Sequence, residues 1–204
     1  MATPSVELDW SKGKFYYPGL VRLMMIGDGS CFFHSIAYAY HIPYRLGQLN
    51  GAPIDREKFI RELRRDLSKV LDRPAHPGGP IIYDTLSRGK LREFAEGYAD
   101  YSLENMKREL DSSQPVDSVY IEFVSNLLNK DIYILDNRKK DVYVLGDYDL
   151  YYKGRPSIIL LYTGNHYDLI GLRCNNGIKT HFSPNHDLIR SIQTRLRIKG
   201  MSSN

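Results

Sequence analysis

The run Ser157-Ile158-Ile159-Leu160-Leu161-Tyr162 restricts the fold more than any other stretch of the chain. Side chains of a strand alternate between its two faces, so a near-continuous apolar run of this length reads as a central strand buried on both sides. Its neighbours are legible nearby. Ile132 to Leu135 and Val142 to Leu145 are short apolar or tyrosine-containing runs separated by the polar stretch 136–141, which reads as two strands joined by a turn. A further strand is expected from His166 to Leu172, after the Thr163-Gly164-Asn165 turn.

The helical patterns come earlier. Gly27-Asp28-Gly29-Ser30 is a turn-like cluster, and a helix is expected to open at Cys31 and run to about Tyr40. Asp55 is placed as an N-cap for a helix whose Phe59, Ile60, Leu63, Leu67, Val70 and Leu71 form one apolar face opposite an arginine-rich one. Pro74 to Pro80 reads as a loop, and Leu86 to Leu110 as two short helices divided near Gly97 to Tyr101. Val119, Tyr120, Phe123, Val124, Leu127 and Leu128 repeat with helical spacing up to Asn129, and Asp187 to Arg197 reads as a basic helix. The first residues show no clear periodicity. Helices followed by strands predict an α+β fold, with a small sheet packed against helices. At 204 residues, one globular domain is expected.

Composition narrows the function classes. The hydrophobic share of 42% and charged share of 25% are ordinary for a globular chain, and the formal charge of +4 is spread out, so nucleic-acid binding gains little support. No apolar run approaches the roughly 20 residues of a membrane span, and Met1 to Trp10 has no secretory h-region. A cytoplasmic location is therefore expected, with Cys31 and Cys174 as free thiols.

Cys31 stands where a glycine-containing turn feeds a helix. That position favours the thiolate, the reactive form of a group whose unperturbed pKa is ~8.5. Backbone N–H groups of the turn Asp28-Gly29-Ser30-Cys31 can also converge on a developing oxyanion. His166 and Asp168 share one face of the expected strand, so the carboxylate can orient the imidazole as general base. Each pair taken alone also fits a plain structural role. A Cys31/His34/Cys174/His181 zinc set is the rival constellation, with unfavourable spacing between Cys174 and His181. Gly27-x-Gly29 lacks the third glycine of a dinucleotide loop.

Together the blocks form a pattern. Asp28-Gly29-Ser30-Cys31-Phe32-Phe33-His34 resembles the Asp-Gly-x-Cys-x-Phe motif around the nucleophile of the ovarian tumour (OTU) cysteine proteases. Tyr162-Thr163-Gly164-Asn165-His166-Tyr167-Asp168 is similar to that family's histidine strand, and Val119 to Leu135 to its long helix running into a central strand. The resemblance implies a papain-like OTU fold and deubiquitinating isopeptidase activity, with no metal or cofactor. It implies Cys31 as nucleophile, His166 as base and then acid, Asp168 as orienting carboxylate, Asp28, Gly29 and Ser30 as the oxyanion turn, and Asn165 and Tyr167 as substrate-binding residues. The implied partner is ubiquitin or polyubiquitin, or a ubiquitin-like modifier, acted on by a monomer that binds neither nucleic acid nor membrane. The alternative is an inactive OTU-like module that binds ubiquitin. The expected division is an N-terminal extension 1–20, a catalytic domain 21–172 and a C-terminal extension 173–204 packed on the same domain. Such a stand-alone domain would suit a virus or intracellular bacterium acting in host cytosol. One departure is Pro115-Val116-Asp117, where many members carry a Trp-Gly pair.

Overall fold

A computed structural model describes residues 3–93 and 99–201 of the chain. In chain order its elements are β1 (Ser5–Glu7), β2 (Leu20–Leu23), α1 (Cys31–Tyr40), α2 (Ile42–Leu46), β3 (Gln48–Leu49), β4 (Ala52–Pro53), α3 (Arg56–Val70) and α4 (Ile82–Thr85). There follow α5 (Leu103–Leu110), α6 (Ser118–Leu128), β5 (Asp131–Asp136), β6 (Asp141–Val142), α7 (Tyr148–Tyr151), β7 (Ser157–Tyr162), β8 (Tyr167–Cys174), β9 (Gly177–Lys179) and α8 (Asp187–Met201).

The main sheet has the order β1-β2-β8-β7-β5-β6, with β9 paired to β8. Only β5 and β7 are parallel, and the return between them passes through β6 and α7. The strand read as central is central, since β7 lies between β5 and β8 and its first five residues are buried. Its alternation divides the interior. Ile158 and Leu160, with Ile132, Ile134 and Leu169, face one apolar cluster shared with Phe32 and Phe33 of α1, Ile60 and Leu67 of α3, Leu110 of α5 and Phe123 of α6. Ile159 and Leu161, with Tyr133, Leu135 and Ile170, face a second cluster holding Trp10, Phe15, Tyr151 and the α8 residues Leu188, Ile189, Ile192 and Leu196. The sheet is thus packed between helices, and the two chain ends help build its second core.

Local chemistry sets the helix limits. The Asp55 carboxylate accepts from the Lys58 N–H at 2.9 Å and opens α3. Asp117 does the same for Val119 at 2.9 Å at the start of α6, which Asn129 closes in the left-handed conformation at φ 53°. A buried ion pair ties α6, β5 and β7 together. Asp131, fully buried, accepts from Arg155 Nε at 2.7 Å and from the Lys153 and Arg155 backbone, while Arg155 also reaches Ser125.

Several expectations need adjustment. The strand expected from His166 begins at Tyr167, so His166 sits in the turn before it, and the strand expected to extend to Leu145 is only Asp141–Val142. The aperiodic N-terminus contains β2, whose paired edge joins β8. The apolar face of α3 also carries a charge, because Arg64, in line with Ile60 and Leu67, is buried at 1% exposure. Of the division expected near Gly97 to Tyr101, Gly97 and Tyr98 lie outside the described residues, while a short 3-10 turn covers Ala99–Tyr101.

Candidate active site

The site begins with a turn that only glycine fits. Gly29 has φ +84°, and a Cβ there would lie 2.0 Å from the Ser113 carbonyl oxygen, so the turn lies directly on the 112–115 loop. The Asp28 carboxylate folds back across it. One oxygen accepts from the Ser30 N–H at 2.9 Å and the other pairs with His34 Nε2 at 3.0 Å. Burial pushes the Asp28 carboxyl up, but the His34 and Ser30 bonds outweigh it and hold the group below the usual range. His34 is fully buried, not in the cleft, and burial keeps its pKa low despite Asp28. A neutral ring donating from Nε2 to Asp28 leaves Nδ1 to accept from the Tyr44 hydroxyl.

Cys31 is the first residue of α1 and is 4% exposed. Its sulfur accepts the Tyr167 N–H at 3.3 Å, which joins the start of α1 to the start of β8. His166 is delivered by a tight connection. Thr163 N–H donates to the His166 carbonyl at 3.0 Å, Gly164 takes φ +116°, and the Tyr162 hydroxyl donates to the Gly164 carbonyl. His166 Nε2 lies 3.0 Å from Asp168 Oδ1, which leaves Nδ1 for the hydrogen bond between imidazole and Cys31. Those two bonds push the His166 pKa up to about 10, against the opposing effect of burial.

Asp168 is fully buried and has every reason to be fixed. Besides His166, its Oδ1 accepts from the Met25 N–H at 2.7 Å and its Oδ2 from Arg22 Nε at 2.6 Å. Burial raises its pKa, but the His166 and Met25 bonds and the Arg22 charge more than compensate, so the carboxyl is held low and ionised. Arg22 pairs with Ile170 across β2 and β8, and Asp168 is the diagonal neighbour on the same face.

A cavity of about 480 Å³ opens beside Cys31. Asn165, Tyr167 and Gly29 line it together with Tyr143, Tyr162 and the stretch 115–118, so the Pro115-Val116-Asp117 departure forms part of its wall. Asp28 and Ser30 hold the turn from behind, and Ser30 is turned inward at 3% exposure. The Ser30 N–H is already committed to Asp28, so among the described residues the turn's unengaged N–H donors are those of Gly29 and Cys31. The residues of the zinc alternative have other surroundings. His34 is engaged by Asp28 and Tyr44, Cys174 is exposed, and His181 packs edge-on against Tyr40. Among the described residues no group of three or more His, Cys, Asp or Glu side chains is placed to hold a metal ion.

Sequence reasoning missed two contributors: Arg22 and the Met25 N–H. Arg22 carried a signal, a lone charge inside the apolar stretch Leu20-Val21-Arg22-Leu23. The Met25 N–H carried none.

A thiol at a helix start, an imidazole bonded to it and a buried carboxylate behind the imidazole form the array with which thiol hydrolases attack acyl groups. No protein-family model matches the sequence, and no curated protein matches it. Solved structures do. An OTU domain in complex with ubiquitin is 19% identical, with 87% of this chain and 82% of that chain covered and a TM-score of 0.54. An OTU deubiquitinase from Wolbachia pipientis wMel is 15% identical, with 88% and 98% covered and a TM-score of 0.40. The Hazara virus OTU bound to ubiquitin is 17% identical, with 85% and 89% covered and a TM-score of 0.39. On the first of these likenesses, the chain has the α+β OTU fold. At such identity the likeness speaks for the fold, and residue roles rest on the geometry.

Proposed function

We propose that this chain is a cysteine isopeptidase that hydrolyses the bond between the C-terminal glycine of ubiquitin, or of a ubiquitin-like modifier, and a lysine amine. The observation that carries the reading is the continuous array Cys31, His166, Asp168, with the sulfur at the cavity edge and the carboxylate locked by Arg22 and Met25. The OTU fold, and the ubiquitin held by the OTU domain compared above, supply the substrate class.

In this mechanism the Cys31 thiolate attacks the glycine carbonyl carbon, and the carbonyl π electrons move to oxygen. The Gly29 and Cys31 N–H groups face that oxygen as hydrogen-bond donors. Collapse of the intermediate breaks the C–N bond while the His166 imidazolium gives its proton to the leaving lysine nitrogen, producing a thioester and a free amine. Neutral His166 then takes a proton from the water that attacks the thioester carbon, and collapse of this second tetrahedral intermediate breaks the C–S bond, releasing the modifier's C-terminal carboxylic acid and regenerating the Cys31 thiolate beside the His166 imidazolium. Asp168 stays ionised throughout and stabilises the imidazolium. Asn165 and Tyr167 bracket the entrance and make room for a small-residue tail. The reaction needs no metal or cofactor in this reading, and the reading places a monomer in the cytoplasm, or in host cytosol.

A cleavage panel over diubiquitins of every linkage tests it. Wild-type protein is expected to release monoubiquitin from at least one linkage, and Cys31→Ala from none. Tight ubiquitin binding without cleavage of any linkage would instead support the inactive binding module.

A further inference from the structure

Arg64 is the one buried charge of α3 and has no counter-ion in contact. It is 1% exposed, and among the described residues no carboxylate lies within ion-pairing distance of its nitrogens. Buried guanidinium groups are seldom tolerated unless paired, so this one must be compensated differently. Its donors go to neutral oxygens: Nε to the Leu110 carbonyl at 3.0 Å, and Nη2 to the Glu109 and Gln114 carbonyls at 2.8 and 2.9 Å. Nη1 donates to the Ser30 hydroxyl at 2.8 Å, one residue before Cys31, and the guanidinium lies 4.7 Å over the Phe33 ring.

We propose that Arg64 is a positioning residue that fixes the turn carrying Cys31 and, through its unpaired charge, favours the Cys31 thiolate. This rests on the reading of Cys31 as nucleophile. The charged and titratable groups around the guanidinium are Asp28 from the turn, Glu109 from α5, Tyr120 from α6 and Cys31 from α1. Both carboxylates are drawn elsewhere, Asp28 to Ser30 and His34, and Glu109 to the Tyr120 hydroxyl. Cys31 in turn is faced by His166 and Tyr167 from the β7–β8 side and shares its cavity with Asp117 at the start of α6. The sulfur therefore has the His166 ring bonded to it and the Arg64 charge bonded to the side chain of the residue before it. A positive charge held in a low-dielectric interior acts over a longer range than it would in water, and its field favours the anionic form of a nearby acid. The same forked contacts hold the Glu109–Gln114 segment against the nucleophile turn, where Gly29 meets Ser113.

The test is alkylation by iodoacetamide, followed at Cys31 by mass spectrometry and expressed as the rate at pH 6.5 divided by the plateau rate at high pH. Division by the plateau removes differences in access. No ubiquitin is used, so a failed deubiquitinase assay and a failed Arg64 assay are separate results. Measured in a His166→Ala background, where no imidazolium already holds the sulfur ionised at pH 6.5, Arg64→Met is expected to lower the ratio about 10-fold, Arg64→Lys to restore most of it, and Ser30→Ala, which keeps the charge, to lower it less than about 2-fold. An unchanged ratio in folded Arg64→Met overturns the proposal. His166→Ala alone provides a measurement that leaves Arg64 untouched. There the ratio at Cys31 is expected to stay about 10-fold above that at exposed Cys174 in the same chain. Equal ratios at the two cysteines would overturn the proposal even if Arg64→Met did not fold.

Discussion

His166 keeps its proton up to about pH 10 because Asp168 and Cys31 both bond to the ring. An imidazole in an unfolded chain titrates near ~6.5, so the folded state binds this proton more tightly. The stability gained is fully present below about pH 6.5 and is lost as pH rises through about 10. The melting temperature is expected to fall across that window in the wild type and to fall less in His166→Gln, as followed by circular dichroism. Removal of the ring in His166→Ala is expected to lower the rate of isopeptide cleavage by about 10²–10⁴, the usual contribution of a general acid and base. Asp168→Ala should cost less turnover, because the imidazole can still act without its orienting partner. It should cost more stability, because Arg22 and the Met25 N–H lose their acceptor. At this scale Cys31, His166 and Asp168 were legible, since their chemistry is carried by residue type and spacing. Arg64 left a readable trace that spacing alone undervalued. It continues the stripe Ile60, Leu67, Leu71 at helical intervals, and a cation on an apolar stripe is either misplaced or buried for a reason.

Two devices at the level of elements hold the site in register. The first is the close approach of the nucleophile turn to the 112–115 loop. Gly29→Ala adds a methyl 2.0 Å from the Ser113 oxygen at a φ of +84°, and both the clash and the strain oppose it. Steady-state cleavage by this variant is expected to drop sharply, with a lower melting temperature. Wild-type kinetics would contradict the turn geometry. The second is the Asp131–Arg155 pair. Asp131→Ala leaves a guanidinium and two backbone N–H groups without their acceptor and is expected to cost about 3–5 kcal/mol in urea unfolding. Helix limits were legible because caps are local, as Asp55 and Asn129 illustrate. Strand limits were less so. His166 was read as the first strand residue, but pairing with β7 starts at Tyr167, and the exact onset depends on a partner strand that local pattern does not contain.

Across the whole molecule, the apolar run of β7 set the architecture. One face of the strand builds the core with α1, α3, α5 and α6, and so holds Cys31 at the entrance of a buried helix. The other face is covered by α8, Trp10 and Phe15, so both ends of the chain support the sheet that positions His166 and Asp168. The N-terminal role was not legible, because those residues have no period and their burial is decided by β2 pairing with β8, whereas the C-terminal segment was read as a helix packed on the same domain. Among the described residues no helix is long and apolar enough to cross a membrane. What unites the two cores is the meeting of α1 and β8 at one sulfur, where the Tyr167 N–H and the His166 ring converge. The most direct measurement is incubation with ubiquitin bearing a C-terminal electrophile, followed by intact-mass and peptide analysis. A single covalent adduct located on Cys31, absent from Cys31→Ala and strongly slowed in His166→Ala, is the expected result. No adduct on folded wild-type protein, or one formed equally well at Cys174, would contradict the account.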